Sequence, residues 1–137
     1  MAYDLNRFLT AQEQDYAQAL AEIRAGRKRS HWIWYIFPQL RGLGYSYNAE
    51  YYGLADAEEA RRYLAHPVLG ARLREITEAL LELPESDPIR VMGRPDDLKL
   101  CSSMTLFEYV SVQDSVFGKV LDKYYGGRRD AATLQLL

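Results

Sequence analysis

The sequence predicts an all-α fold, a single compact domain of short and medium helices over residues 1–137. Most apolar residues recur at three- and four-residue steps, which is the spacing of one helix face. The sequence contains no run with the apolar–polar alternation of a half-buried strand, and no hairpin dipeptide between strand-like runs. With 137 residues, of which 48% are apolar, the chain has the size of one ordinary globular domain.

The N-terminal part contains two predicted helical elements. The first is a helix or a broken helical pair, with Gly26 where a C-terminal cap belongs. Its apolar residues at helical spacing are Leu5, Phe8, Leu9, Tyr16, Leu20 and Ile23. The second is the tract 32–37, which is apolar on every side and fits either a buried strand or a buried helix. Because the sequence offers no partner strand, a short buried helix is favoured.

The middle of the chain carries start and stop signals for two helices. Asp56, with Glu59 three residues later, is typical of a capping box and predicts a short helix over 58–65. The next helix, over 67–83, starts with a proline and stops before Pro84. Its apolar stripe consists of Leu69, Leu73, Ile76, Leu80 and Leu83. The two elements together predict a helical hairpin.

Helical spacing continues to the end of the chain. Pro88 and Pro95 each stand where the first turn of a helix is expected. In the helix after Pro95, the apolar residues that share one face are Leu100, Met104 and Phe107. A further helix over 116–124 ends at Gly126, and Asp130 caps a last short turn.

Composition excludes several classes of function. The net charge of -2, from 17 basic and 19 acidic residues, argues against wholesale nucleic-acid binding. The single cysteine, Cys101, excludes an intramolecular disulfide, and with only two histidines the usual zinc sites are excluded too. We therefore predict no metal and no cofactor. Because no apolar tract approaches the ~20 residues of a membrane span and no signal peptide is evident, we expect a cytoplasmic protein without a membrane partner.

The densest charge asymmetry lies between residues 24 and 30, which include four cations and no acid. If Ser30 caps a helix that starts at His31, the cations crowd the positive end of that helix, where an anion would be favourable. This interpretation predicts an anion cup made of Arg27, Lys28, Arg29, Ser30 and His31. The alternative is that the cations complement the C-terminal dipole of the preceding helix and are otherwise solvated.

Two further segments have the residue types of a ligand site. The glycine-rich segment 38–47 begins with a Pro–Gln pair that includes Gln39. Tyr45 lies in this segment and Tyr52 follows it, and their aromatic faces suit stacking on a ligand or, alternatively, packing in the core. On the helix after Pro95, Lys99 shares a face with two serines, opposite the apolar stripe. A lysine of lowered pKa can activate a serine, but a polar packing or ligand-lining role explains the same spacing.

Several ordered motifs resemble the domain-of-unknown-function family 1810. They are GRKRSHWIW at 26–34, FPQL at 37–40, GLG at 42–44, HPVLGARL at 66–73 and KLCSSMTLF at 99–107. The likeness covers nearly the whole chain, from Arg7 to the segment 133–134. It implies a compact, mostly helical domain of a family with no established activity. The order of Glu50-Tyr51-Tyr52, Leu69-Gly70-x-Arg72 and the lysine-led helix at Lys99 bears a fainter likeness to the NADAR family, which is associated with ADP-ribose and riboflavin-pathway chemistry. This likeness carries no catalytic role across and is only compatible with a nucleotide-sugar ligand.

Members of family 1810 are often labelled calpastatin, after the protease inhibitor. That inhibitor is a long, polar, repetitive and disordered chain, whereas this sequence is short, rich in tyrosine and free of repeats. The composition therefore argues against calpastatin-type protease inhibition.

The leading hypothesis places all three segments in one pocket that binds a small phosphate-bearing ligand, nucleotide-like or ADP-ribose-like. Its predicted residues are Arg27, Lys28, Arg29, Ser30, His31, Trp34, Gln39, Tyr45, Tyr52, Lys99, Ser102 and Ser103. Hydrolysis of that ligand stays open, with His31, Glu50, Lys99 and Ser102 as candidate catalytic residues. The alternative is a non-enzymatic protein-interaction module, in which the aromatic tract and the tyrosines form an exposed apolar surface.

Overall fold

A computed structural model describes residues 4–112 and 115–137, and within these ranges the chain forms nine helices and no strand. The all-α prediction is confirmed. The helices are α1 (Asn6–Arg24), α2 (Ile33–Ile36), α3 (Tyr47–Tyr51), α4 (Ala57–Ala65), α5 (Leu69–Glu82), α6 (Pro88–Met92), α7 (Asp96–Val110), α8 (Val116–Tyr125) and α9 (Ala131–Leu136). None of the helices in these ranges is both long and apolar enough to cross a membrane.

The local signals in the sequence locate most of these helices. Helix α1 is unbroken, and Gly26 follows its C-cap with a φ of +88°, a conformation that glycine adopts without strain. The apolar tract forms the short buried helix α2, as favoured. Asp56 and Asp130 cap α4 and α9 by accepting hydrogen bonds from the N–H groups of Glu59 and Thr133. Helix α3 was not predicted, because it begins at the last residue of the glycine-rich segment 38–47 and its five residues show no helical stripe.

The core is organised around α7 and α5. Helix α7 packs against α2, α4, α6, α8 and α9, and buried residues lie on all of its sides. This corrects the expectation of a polar face on that helix, since Ser102 and Ser103 are both buried. Helix α5 packs against α1, α4 and α8 through the predicted stripe, in which Leu69, Leu73, Ile76 and Leu80 are buried.

Close packing between α4 and α5 depends on Gly70. A Cβ atom built on Gly70 would overlap the backbone carbonyl oxygen of Leu64, which cannot move without disturbing α4. We expect Gly70→Ala to destabilise the protein by about 1–3 kcal/mol, the cost of forcing an extra carbon into a filled core. Ala71→Ser, one position further on the exposed side of the same turn, should change the unfolding midpoint in urea by much less. Equal midpoints for Gly70→Ala and the wild type would contradict this packing.

Candidate functional site

A cleft between α2, α3 and α7 brings together four of the predicted site residues, Trp34, Gln39, Tyr52 and Lys99. We call it the Trp34 cleft. Its described lining residues are Ile33, Trp34, Phe37, Gln39, Asn48, Ala49, Tyr52, Gly53 and Lys99. The walls come from three separate stretches of the chain, 33–39, 48–53 and Lys99, so the cleft exists only in the folded protein.

A short backbone pairing holds the Gln39 and Gly53 walls together. The N–H of Leu54 donates to the carbonyl of Gln39 at 2.9 Å, and the N–H of Arg41 donates to the carbonyl of Leu54 at 2.8 Å. Gly53 is required at this place, because a Cβ atom there would lie 2.7 Å from the carbonyl oxygen of Ala49 and 2.7 Å from the Cα of Arg41. The buried guanidinium of Arg7 donates to the carbonyl of Gly53 at 3.1 Å and pairs with Glu59.

Lys99 and Trp34 meet at the edge of the cleft. The ammonium nitrogen of Lys99 lies 5.1 Å from the centroid of the Trp34 ring, a cation–π contact. The same nitrogen lies 3.8 Å from a carboxylate oxygen of Asp96. The other oxygen of Asp96 lies 2.7 Å from the ammonium of Lys28, whose side chain is only 5% exposed. Asp96 therefore links the cationic segment of the sequence to the edge of the cleft.

A buried polar group of this cleft lacks a partner within the described parts of the chain. The indole N–H of Trp34 is buried and donates to no acceptor. The side chains of Gln39, a buried residue, and of Asn48, a half-buried one, also line the cleft. Burial, together with the neighbouring Tyr51 and Tyr47, raises the pKa of the Tyr52 hydroxyl, so that group stays protonated at neutral pH and can donate. Buried polar groups are normally paired, so the unpaired indole N–H of Trp34, beside the amides of Gln39 and Asn48, marks this cleft as a candidate binding site.

The enclosed part of the cleft is small. It measures about 10 Å³, roughly the space of one water molecule, and about 220 Å³ including the open mouth. The Lys99 side chain is 27% exposed and lies over the Trp34 ring. A flat ligand would therefore reach the ring after the flexible Lys99 side chain swings aside.

The predicted anion cup is occupied by a carboxylate of the protein itself. Glu22, on α1, accepts hydrogen bonds from the N–H groups of Arg29 and Ser30, from the Ser30 hydroxyl and from the Trp32 indole N–H, at 2.6–3.0 Å. Gln18 donates to it as well. Burial alone would raise the pKa of Glu22, but these hydrogen bonds outweigh it and lower the pKa to about 2. Glu22 therefore lies at the Arg29 and Ser30 part of the predicted anion cup, while Lys28 pairs with Asp96 instead.

The structure does not bring the remaining cationic residues to the Trp34 cleft. Ser30 caps no helix, because α2 begins at Ile33 with Trp32 as its N-cap residue. The side chains of Arg27, Arg29 and His31 are exposed and do not line the cleft.

The other predicted residues lie elsewhere. The Ser102 hydroxyl donates to Asp130 at the start of α9, and Ser103 is fully buried in the core. Tyr45 is 90% exposed, and Glu50 is exposed on α3. None of these four residues lines the Trp34 cleft. Three of the four candidate catalytic residues, His31, Glu50 and Ser102, are therefore away from it.

Sequence reasoning missed Asn48, Gly53 and Asp96 as contributors to the site. Asn48 and Gly53 lie in or just after the glycine- and tyrosine-rich segment, which is the signal that could have located them. Asp96 is the first residue of α7, and its contact with two lysines depends on the tertiary structure. Among the described residues, no group of three or more His, Cys, Asp or Glu side chains could hold a metal ion.

Comparison with known families decides the relationship that the motifs suggested. A family model described as protein of unknown function (DUF1810) matches residues 2–137. The chain belongs to this family. The ordered motifs of the sequence are therefore those of DUF1810, and three of them, GRKRSHWIW, FPQL and the lysine-led segment of α7, supply walls of the Trp34 cleft.

This DUF1810 chain is similar to the conserved hypothetical protein Rv1873 from Mycobacterium tuberculosis, for which a crystal structure at 1.38 Å has been solved. The two are 49% identical, the match covers 98% of this chain and 96% of that chain, and the TM-score is 0.96. The two proteins therefore share their whole fold. Comparison with curated proteins returns no match.

Proposed function

We propose that the Trp34 cleft of this DUF1810 protein binds a small phosphate-bearing ligand of the nucleotide type. The observation that carries the proposal is the buried, unpartnered indole N–H of Trp34 in a cleft whose edge holds the Lys99 ammonium. A buried donor without a partner costs about 1–3 kcal/mol, which a ligand acceptor would recover. The Lys99 ammonium would pair with the phosphate.

The remaining walls favour a flat, polar ring over a plain anion. Phe37 and Ile33 are apolar, while Gln39 and Asn48 each offer an amide that can both donate and accept. An amide of this kind pairs well with the edge of a heterocyclic base. In this arrangement the ring takes the place over Trp34 that the Lys99 ammonium now occupies, and Lys99 turns toward the phosphate.

Binding is the part of the function that the cleft supports. Among its described lining residues there is no carboxylate and no imidazole, the groups that most often act as general bases. Hydrolysis of the ligand stays a separate prediction, for which Lys99 is the candidate that touches the cleft.

Two cleft variants test the proposal by thermal melting with adenosine, adenosine monophosphate, ADP-ribose and inorganic phosphate. A ligand at 100 times its Kd adds about 2.7 kcal/mol, which is several degrees in Tm for a domain of this size. We expect a rise with a phosphorylated nucleoside in the wild type. Trp34→Phe, which removes the N–H, should reduce the rise for every nucleoside, and Lys99→Met should reduce it for the phosphorylated compounds alone.

Arg27→Ala is the matched control, since it removes an exposed cation that does not line the cleft. It should leave the ligand-induced rise unchanged. Loss of the rise in Arg27→Ala, with no effect of Lys99→Met, would place the ligand on the cationic segment and contradict the proposal.

A second candidate function, the protein-interaction module, rests on a different surface. The aromatic tract cannot form this surface, because Trp32, Ile33 and Phe37 are buried. The exposed tyrosines can, since the rings of Tyr47 and Tyr51 stack at 5.7 Å on the outside of α3. If none of the compounds in the melting experiment raises the Tm of the protein, this second function would be favoured.

A further inference from the structure

A second cleft opens on the other side of α7, and the Trp34 site makes no use of it. It lies between α6, α7, α8 and the start of α9 and has a volume of about 470 Å³. We call it the Asp97 cleft, after the buried acid that lines it together with Ile89, Leu98, Cys101, Tyr125 and Asp130. Its size is within the range of small-molecule sites.

The carboxylate of Asp97 is incompletely paired. Asp97 is 2% exposed, and its Oδ2 accepts from the guanidinium of Arg94 at 3.1 Å. Its Oδ1 is buried and has no hydrogen-bond partner within the described parts of the chain. A buried carboxylate oxygen without a donor is unfavourable, so this cleft contains an acceptor that a ligand can satisfy.

The cleft lining holds three acids, Asp87, Asp97 and Asp130, and three bases, Arg94, Arg128 and Arg129. Of the acids, Asp87 pairs with Arg90 and Asp97 with Arg94, whereas Asp130 has no ion-pair partner among the described residues. A second carboxylate, that of Asp130, accepts from Ser102 and Thr133, which are neutral donors that leave its charge uncompensated. Burial, together with the charges of Asp130 and Asp97, raises the pKa of the Cys101 thiol to about 11, although the charge of Arg129 lowers it. Arg129 also lines the cleft but is held by Glu108 and Asp122.

The walls beside the acid are apolar. Leu98 is 54% exposed and Ile89 is also exposed, although both line the cleft, and the ring of Tyr125 lines it as well. A compact, strongly hydrated ammonium would lose its water against such walls. A planar guanidinium or amidinium is more weakly hydrated and stacks on aromatic rings while donating N–H groups to a carboxylate.

We propose that the Asp97 cleft is a second binding site, for a guanidinium or amidinium cation carried on an apolar body. The cation donates to Oδ1 of Asp97, and its apolar body lies against Leu98, Ile89 and Tyr125. The same chemistry is present in a free small cation and in an arginine side chain of a peptide. The site is independent of ligand binding at the Trp34 cleft.

Phenylguanidine and phenylurea test this proposal, because they share their shape and differ in charge. Titration followed by NMR should show phenylguanidine binding at residues around Asp97, and phenylurea binding at least about tenfold more weakly, as expected for loss of a charged hydrogen bond. Asp97→Asn should weaken phenylguanidine binding by about the same factor. Equal affinities for the two compounds, or an unchanged affinity in Asp97→Asn, would overturn the proposal.

A pair of leucine variants keeps the test decisive if Asp97→Asn fails to fold. Leu98 and Leu136 are equally exposed at 54%, but only Leu98 lines the cleft. Leu98→Ala should weaken phenylguanidine binding several-fold and Leu136→Ala should not, and equal effects would overturn the proposal.

A short peptide, acetyl-Ala-Arg-Ala-amide, distinguishes the two possible sources of the bound cation, a peptide arginine and a free small cation. Tighter binding than phenylguanidine assigns the site to a peptide, and weaker binding assigns it to a free cation.

Discussion

Replacing Glu22 by Gln is expected to lower the free energy of unfolding by about 3 kcal/mol or more. The Glu22 carboxylate accepts from two backbone N–H groups, from the Ser30 hydroxyl and from the buried Trp32 indole. A glutamine has the same shape but offers only one acceptor oxygen, and its NH₂ group would face donors. Urea denaturation of the variant measures the loss.

Glu13→Gln is the matched control, because Glu13 lies on the same helix with its side chain exposed. Its midpoint should stay close to that of the wild type, since exposed substitutions usually change stability by less than about 0.5 kcal/mol. Similar losses in the two variants would mean that the Glu22 hydrogen bonds contribute little.

The Glu22 network also gives the protein an acid-dependent stability. The pKa of Glu22 is lowered to about 2 in the folded chain from an ordinary value of 4.5. An acid whose pKa is lower in the folded state stabilises that state at any pH above its pKa in the unfolded chain. This stabilisation is lost as the pH falls from about 4.5 toward about 2. The difference in unfolding free energy between the wild type and Glu22→Gln should therefore shrink over this interval. A difference that stays constant down to pH 2 would contradict the lowered pKa.

Replacing Leu73 by Ala is expected to cost about 2–5 kcal/mol of stability. Leu73 is fully packed at the centre of α5, the helix that contacts α1, α4 and α8. The truncation removes apolar contacts and leaves a cavity that three neighbouring helices cannot close. Chemical denaturation measures the change, and Leu134→Ala, at an exposed leucine of α9, serves as the control. An unaltered midpoint in Leu73→Ala would show that the α5 stripe is not core.

Most helices of this protein follow from local sequence, because the signals that start and stop a helix act over a few residues. Asp56 and Asp130 cap helices through N–H groups three residues away, and Gly26 ends α1 through its own φ angle. Such interactions are visible in the sequence without knowledge of the fold. Helix α3 was the exception, since the glycines and tyrosines around it resemble a loop and Ser46 supplies its cap without any helical stripe.

The candidate site was predictable only in part. Trp34, Gln39, Tyr52 and Lys99 were singled out by residue type and family resemblance, and they line one cleft. Their meeting depends on the backbone pairing of Leu40 with Leu54 and on the position of α7 beside α2, neither of which has a local signal. The cationic segment was misleading in isolation, because Glu22 in the last turn of α1 accepts its backbone N–H groups and Asp96 of α7 pairs with Lys28.

The sequence by itself determined the fold class, the limits of most helices and the family, because periodicity, caps and ordered motifs are properties of short segments. The tertiary structure alone decided which polar residues are buried and what they face. Glu22 occupies the predicted anion cup, and Asp96 joins Lys28 to Lys99. Trp34 and Asp97 keep buried polar atoms unpaired in two separate clefts. Pairing and burial of this kind depend on residues far apart in the chain, so only the packing of the helices sets them.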